Sequence, residues 1–178
     1  IWQEMERIES SIDEANVELR ELIAHFRAPL SQHGLIPGIR RLLSRLRKET
    51  GTETVLQNQA DDAELTEEEE AQILRIVQEA LANVRKHSRA NMVRVLLSCD
   101  NIGDLRLIVE DDGIGMVIPS DDQESDGHFG LAIMQERAGT VGAELSIESE
   151  PGDGTRVVIQ LGSADEAVGE KTAGERAE

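Results

Sequence analysis

The stretch Val109-Glu110-Asp111-Asp112-Gly113-Ile114-Gly115-Met116 constrains this chain more than any other. An apolar strand ends there in a carboxylate and passes directly into a turn interrupted by two glycines. Any tight turn after a strand can look like this, so the motif acquires meaning from its company. Upstream stands Glu79-Ala80-Leu81-Ala82-Asn83-Val84-Arg85-Lys86-His87; downstream stand Gly127-His128-Phe129-Gly130-Leu131 and Gly154-Thr155. Together the four stretches outline a nucleotide pocket.

Each stretch carries a distinct chemistry. On a helix, Glu79, Asn83 and Lys86/His87 fall at offsets of four and then three or four, which makes one polar stripe. The Asn83 amide oxygen suits Mg²⁺, a hard cation that takes few protein ligands and completes its shell with water and phosphate oxygens. The Glu79 carboxylate can order or deprotonate a metal-bound or attacking group, and Lys86 can offset phosphate charge as a point cation. Asp111, held at a pocket edge, can accept a hydrogen bond from an exocyclic amine such as that of adenine and refuse the carbonyl of guanine. Gly113 and Gly115 let the backbone approach a planar base. The stretch from Gly127 through Gly130 to Leu131 ends a loop and opens a helix, so its amides can point at phosphates. Thr155 brings a hydroxyl near Asp111 if their strands are neighbours. Singly, each has a plainer reading: exposed helix residues for Glu79 and Asn83, a turn for Asp111, strand propensity for Thr155. His25 and His33 lack partners at metal-ligand spacing and read as structural.

Around these stretches the periodicity divides the chain into parts. In residues 1–27, Ile1, Met5, Ile8, Ile12, Ala15, Leu19, Leu22 and Phe26 recur alternately four and three apart, a coiled-coil or bundle seam. A helix that starts mid-pattern reads as cut from a longer protein, its seam awaiting a missing helix, a second copy, or both. Pro29 ends it. A second helix follows Gly34, with Pro37 near its first turn and Gly51 at its close; Ile39, Leu42, Leu43 and Leu46 form its apolar face beside five basic residues. Thr52–Gln57 reads as an edge strand. Thr66 with Glu69 makes a capping box for a helix reaching about His87. Met92–Cys99 and Leu105–Asp111 are strands joined by a turn at residues 101–104. The polar loop at 117–129 is a candidate lid or disordered segment, and a helix from about Gly130 to Val141 follows. A last hairpin pairs Ala143–Glu150 with Thr155–Leu161. The expected fold is α+β: a two-layer α/β sandwich with a mostly antiparallel sheet and helices on one face, preceded by a long helix. The expected division is 1–28 for that helix, 29–162 for the nucleotide-binding domain, and 163–178 for a disordered acidic tail.

Charge and composition narrow the partners. Eighteen basic residues against 36 acidic ones give a formal charge of −18. Phosphate backbones are bound by excess Lys and Arg, so nucleic acid is not expected as a direct partner. With two Phe, one Trp and no Tyr, stacking platforms for single strands are missing as well. A lone Cys99 excludes an internal disulfide framework and fits a reducing compartment.

With the four stretches in view, the chain resembles the ATP-binding catalytic domain of bacterial sensor histidine kinases, the Bergerat fold shared with gyrase, Hsp90 and the mismatch-repair ATPases. The likeness covers roughly residues 30–161, with Glu79–His87 as the N box, Asp111–Gly115 as the G1 box, Gly127–Leu131 as the G2 box and Gly154-Thr155 as the closing Gly-Thr. Glu18–Ile23 with Phe26-Arg27, Lys86-His87 and Met134-Gln135-Glu136-Arg137-Ala138 are similar to kinases of the nitrate/nitrite-sensor type. The resemblance implies that ATP with Mg²⁺ donates its γ-phosphoryl group to a histidine on a dimeric helical hairpin, and that the group then passes to a response regulator with a helix-turn-helix output domain. It implies that Asp111 binds adenine, Asn83 ligates Mg²⁺, Glu79 orients the nucleophile or the metal shell, and Lys86, His87 and the 127–131 amides face the phosphates. The family's acceptor histidine, followed by an acidic residue, lies on the first hairpin helix, and residues 1–27 look like the second helix only. The expectation is a chain that binds nucleotide without phosphorylating itself, dimerises through residues 1–27 in the full protein, and acts in the cytoplasm, with any membrane anchor preceding Ile1. The alternatives are a hydrolysing ATPase of the same fold and a non-enzymatic nucleotide-binding dimerisation module.

Overall fold

The computed structural model describes residues 34–60, 64–99, 104–116 and 129–162. The expectations of a seam helix at 1–27 and of a disordered tail at 163–178 lie outside these residues, as does that of a lid or disordered segment at 117–129 except for Phe129, which opens a helix.

Helix α1 (Leu35–Thr50) buries Leu35, Ile39, Leu43 and Leu46, a stripe spaced four, four and three apart that faces one side. Arg47 and Lys48 occupy its last turn, where cations complement the negative end of the helix dipole. Gly51 closes it, its N–H donating to Arg47 O at 3.0 Å. Strand β1 (Glu53–Gln59) leads to helix α2 (Glu67–Asn83). The capping box forms as the sequence predicts: Glu69 N–H donates to Thr66 Oγ1 at 3.2 Å and Thr66 N–H to Glu69 Oε2 at 2.7 Å. Four glutamates, Glu67 to Glu70, load the positive end of this helix.

The strands that follow are β2 (Met92–Cys99) and β3 (Leu105–Asp111); then come helix α3 (Phe129–Thr140) and strands β4 (Glu144–Glu150) and β5 (Gly154–Leu161). They make a five-stranded sheet in the order β1-β2-β3-β5-β4. Strand β1 runs parallel to β2 and the other three pairings are antiparallel. The parallel pair requires a crossover, and α2 supplies it. Alternate residues on the central strands face the helices and are buried: Val93, Val95 and Leu97 on β2, Leu105, Leu107 and Val109 on β3, and Val157, Ile159 and Leu161 on β5. Against them pack Ile73, Ile76, Val77 and Ala80 of α2 and Met134 and Ala138 of α3. Helix α2 lies between α1 and α3 and touches both. The two-layer sandwich expected from the sequence is therefore the architecture of the described residues, and β1 is an edge strand.

One local departure bears on the site. The sequence predicts a helix running evenly to His87, but the α-helix ends at Asn83 and continues as a five-residue π-helical turn, Val84–Ser88. Arg89 then leaves it with φ 52°, in the left-handed region. The Ser88 hydroxyl reaches back to Val84 O at 3.1 Å and accepts from Ala90 N–H at 3.1 Å, so it both occupies a helix carbonyl and stops the chain. The wider turn brings Asn83, His87 and Ser88 to one side, and such turns favour functional positions.

Candidate functional site

Strand register assembles the floor of the site. Val93 pairs with Asp111, Asp111 with Thr155, and Thr155 with Ser149. These four lie in one transverse row across β2, β3, β5 and β4, on the face that meets the helices. Above the row is a cavity of about 340 Å³, lower in size than most small-molecule sites but within their range. Its helical wall is Ala80, Asn83, Val84, His87 and Ser88. Leu131 and Met134 of α3 close one side, Met116 and Ile147 another, and Val109 and Val157 extend the floor. Most of the lining is apolar; its polar residues are Asp111 and Thr155 on the sheet and Asn83, His87 and Ser88 on the helical wall.

The loop after Asp111 is tied on three sides. Ile114 N–H donates to Ser88 O at 2.7 Å, Gly152 N–H to Ile114 O at 2.8 Å, and Met116 N–H to Ser149 Oγ at 2.9 Å. Asp112 turns away and its Oδ1 accepts from Asn91 N–H and Met92 N–H, both at 2.8 Å. The two glycines are sterically required. A Cβ on Gly113 would lie 2.3 Å from Ser88 O, and one on Gly115, where φ is +61°, would lie 2.0 Å from Glu150 O. Their service is to seat the loop against its neighbours, and Gly115 alone of the two also lines the cavity.

Asp111 is half-buried and its Oδ1 accepts from Gly113 N–H at 2.9 Å. Burial raises its pKa above the ordinary 3.8; the Gly113 N–H works against that, Asp112 adds to it, and Ser88 opposes it. The fold thus disfavours the charge of this carboxylate, and among the described residues what offsets that is an N–H and a hydroxyl instead of a cation.

The sequence-predicted residues divide into groups. Asn83, His87, Asp111, Gly115, Leu131 and Thr155 come together around the cavity. Gly113 stands behind Asp111. Glu79 is half-buried one turn before Asn83, outside the cavity wall, and abuts Gly130: a Cβ there would lie 2.5 Å from Glu79 Oε1. Lys86 is exposed and does not line the cavity. Gly127 lies outside the described residues. Sequence reasoning missed Ser88 and Ser149, whose hydroxyls bracket Asp111 and Thr155, and it read Met134 as part of a helix and of a family-like stretch, and Ile147 as part of a strand, without placing either at the site. Near Glu79, Arg137 Nη1 donates to Gln72 Oε1 at 3.2 Å and ties α3 to α2. Burial first, then repulsion from Arg75, lowers the Arg137 pKa, against the pull of Glu136 and Glu79.

Among the described residues no group of three or more His, Cys, Asp or Glu side chains could hold a metal ion. The donor set available is an amide, Asn83, with a carboxylate one turn earlier. That set fits Mg²⁺ only as a partner of phosphate and water, because it supplies too few ligands for a dedicated cage. No helix of the described residues is long and apolar enough to cross a membrane.

Residues 68–165, more than half of the 178, match the family described as histidine kinase-, DNA gyrase B-, and HSP90-like ATPase. The chain belongs to this ATPase family. Among curated relatives it is 32% identical over 155 residues to the nitrate/nitrite sensor protein NarQ of Escherichia coli, covering 87% of this chain and 27% of that protein. It is 35% identical over 164 residues to the sensor histidine kinase LiaS of Bacillus subtilis, covering 92% of this chain and 44% of LiaS. The chain therefore spans between a quarter and a half of these relatives. A solved histidine kinase domain, from the EL346 blue-light activated kinase of Erythrobacter litoralis, superposes with a TM-score of 0.61 at 29% identity, over 76% of this chain and 64% of that one. Its relatives in this ATPase family thus include sensor histidine kinases, the subgroup that the sequence motifs resemble.

Proposed function

We propose that this chain is the ATP-binding catalytic part of a two-component sensor histidine kinase, which passes the γ-phosphoryl group of ATP to a histidine and from there to an aspartate of a response regulator. One observation carries the reading: the half-buried Asp111 carboxylate, anchored through one oxygen by Gly113 N–H, in the lining of a mostly apolar cavity. A carboxylate whose charge the fold disfavours gains most from a ligand N–H. The 6-amino group of adenine offers that hydrogen, whereas guanine would set a carbonyl oxygen against the carboxylate. Val109, Leu131, Met134 and Ile147 would cover the faces of the base.

The phosphate end is read from the other wall. Asn83 would hold Mg²⁺ through its amide oxygen, and the ion, when bound, offsets phosphate charge and polarises the γ-phosphoryl group. Glu79 would orient the attacking imidazole by accepting its far N–H, while Lys86, His87 and the amides near Gly127 and Gly130 would meet the phosphates. None of the chain's own histidines is followed by an acidic residue: His25 precedes Phe26, His33 Gly34, His87 Ser88 and His128 Phe129. The acceptor would thus lie on the first helix of a helical hairpin whose second helix residues 1–27 would form, and that hairpin would make the dimer seam. The regulator would carry a helix-turn-helix output domain, and the site of action would be the cytoplasm.

Calorimetric titration of the 178-residue chain with ADP, ATP and GTP, with and without Mg²⁺, tests this. Adenine nucleotides should bind, Mg²⁺ should strengthen ATP, and labelled phosphate from γ-labelled ATP should reach protein only after an acceptor hairpin is added. Equal binding of GTP would defeat the adenine reading. Steady hydrolysis of ATP without any hairpin would favour the hydrolysing ATPase.

A further inference from the structure

The Ser149 hydroxyl has three neighbours, and their identities fix where every proton goes. It lies 2.9 Å from Met116 N, 2.8 Å from Gly154 O and 3.0 Å from Thr155 Oγ1. A backbone N–H can only donate and a carbonyl can only accept, while a serine hydroxyl has one proton and two lone pairs. If Ser149 gave its proton to Thr155, the contact with Gly154 O would set lone pair against lone pair at 2.8 Å. The satisfied arrangement is unique: Ser149 accepts from Met116, donates to Gly154 O, and accepts from the Thr155 hydroxyl. The proton of Thr155 is thereby committed to Ser149, and only its lone pairs remain for the cavity that Thr155 lines beside Asp111.

We propose that Ser149 is a specificity-positioning residue: by holding the Thr155 proton it makes Thr155 an acceptor, so that Asp111 and Thr155 together present acceptors alone to the bound base. A free threonine hydroxyl can rotate and donate as readily as it accepts, which would let the floor adapt to a 6-keto purine. The held hydroxyl cannot. The ligand class selected is the 6-aminopurine nucleotides: with the Thr155 lone pairs turned to position 6 of the base, both groups accept from a 6-amino group and both oppose a 6-keto oxygen. Ser149 itself makes no contact with the base. This inference rests on the nucleotide-binding reading above.

The test is the ratio of affinities for ADP and IDP, whose bases differ at position 6 (amino against keto) and at N1 (acceptor against N–H donor), measured by calorimetry on the full chain. In the unmodified chain ADP should bind far more tightly. Ser149→Ala should lower the ADP/IDP preference by about tenfold, the size expected for one misassigned hydrogen bond in a discriminating site; Ser149→Thr, which keeps the hydroxyl, should restore it. A role confined to propping the loop through Met116 would weaken both nucleotides equally, and an unchanged ratio overturns the proposal. In the unmodified chain, proton NMR should show a slowly exchanging Thr155 hydroxyl proton with a nuclear Overhauser effect to the Ser149 β-protons. A Thr155 hydroxyl averaging with solvent overturns the proposal even if Ser149→Ala fails to fold. If the unmodified chain binds neither ADP nor ATP, the nucleotide reading has failed; if it binds ADP and the ratio is indifferent to Ser149, only this inference has.

Discussion

Two adjacent rows of the same four strands solve the problem of a carboxylate on a sheet in opposite ways. On the helix side run Val93, Asp111, Thr155 and Ser149; one residue away on each strand, on the other side, run Arg94, Glu110, Arg156 and Glu148. Glu110 bonds Arg94, and it meets Arg156 Nη2 at 3.3 Å while Arg156 reaches Glu148 at 3.5 Å. Its charge is neutralised within the row. Asp111 has an N–H and a neighbouring hydroxyl but, among the described residues, no cation, and burial raises its pKa. A carboxylate locked between arginines has nothing to offer a ligand, and a half-buried one without a cation does. The side of the sheet, set by a single step in sequence, separates a structural acid from a binding one.

Substituting Asp111 gives the largest expected effect. Asp111→Asn keeps an oxygen for Gly113 N–H but turns an amide N–H₂ toward the ligand, donor against donor. ADP affinity should fall by ~1–3 kcal/mol, the usual loss for a polar group left without its partner, and calorimetry reads it directly. The same amide complements a 6-keto group, so the variant should favour IDP relative to ADP. Unchanged ADP affinity would erase the contrast between the rows. The thermal midpoint of the free variant should stay level or rise at neutral pH, because the substitution removes a charge that the fold disfavours.

A smaller effect follows from pH. Burial raises the Asp111 pKa in the folded chain above 3.8, so the group's own contribution to stability is full below the unfolded value and is lost as pH rises through the folded value. Nucleotide binding has the opposite sign, since the ligand's N–H favours the ionised carboxylate. ADP affinity should be flat near neutrality and decline as pH falls through a midpoint above 3.8. Measuring it against Asp111→Asn cancels the other carboxylates. A decline that is identical in both proteins would assign the titration elsewhere.

The sequence made the binding row half visible. Asp111 and Thr155 stand out because one ends an apolar run before a glycine and the other begins a strand after one. The capping box at Thr66 and Glu69 and the apolar face of α1 were readable because each depends on contacts within one turn or one helix. Ser149 was not readable, and the cause is register. The limits of a hairpin do not say which residue of one strand stands opposite Thr155; the strand begins at Gly154, opposite Glu150, which puts Ser149 there. One residue of slip exchanges the two faces of a strand. Ser88 was hidden for a related reason, since α-helical offsets do not describe a π turn, whose carbonyl pattern depends on what the helix end packs against. The apolar walls of the cavity are core-type residues, and only the packed fold tells a lining methionine from a filling one.

Glu110→Gln is the smallest expected effect and the sharpest control. Its two arginine partners are about half exposed, with side-chain exposures of 46% and 50% against 26% for Glu110. Exposed pairs contribute about 0–1 kcal/mol each, because solvent screens them and two long side chains lose freedom in forming them. The substitution should therefore move stability by less than ~1 kcal/mol, with the loss shrinking at high salt as the remaining charges are screened. Its effect on ADP affinity should be within about twofold, since it alters charge on the opposite face and removes no group that lines the cavity. Glu110 is the immediate neighbour of Asp111, so a general intolerance of β3 to change would show at both positions. A large affinity loss at Glu110 would mean that the charged row tunes Asp111 through the sheet, and the division of labour between the two faces would then have to be abandoned.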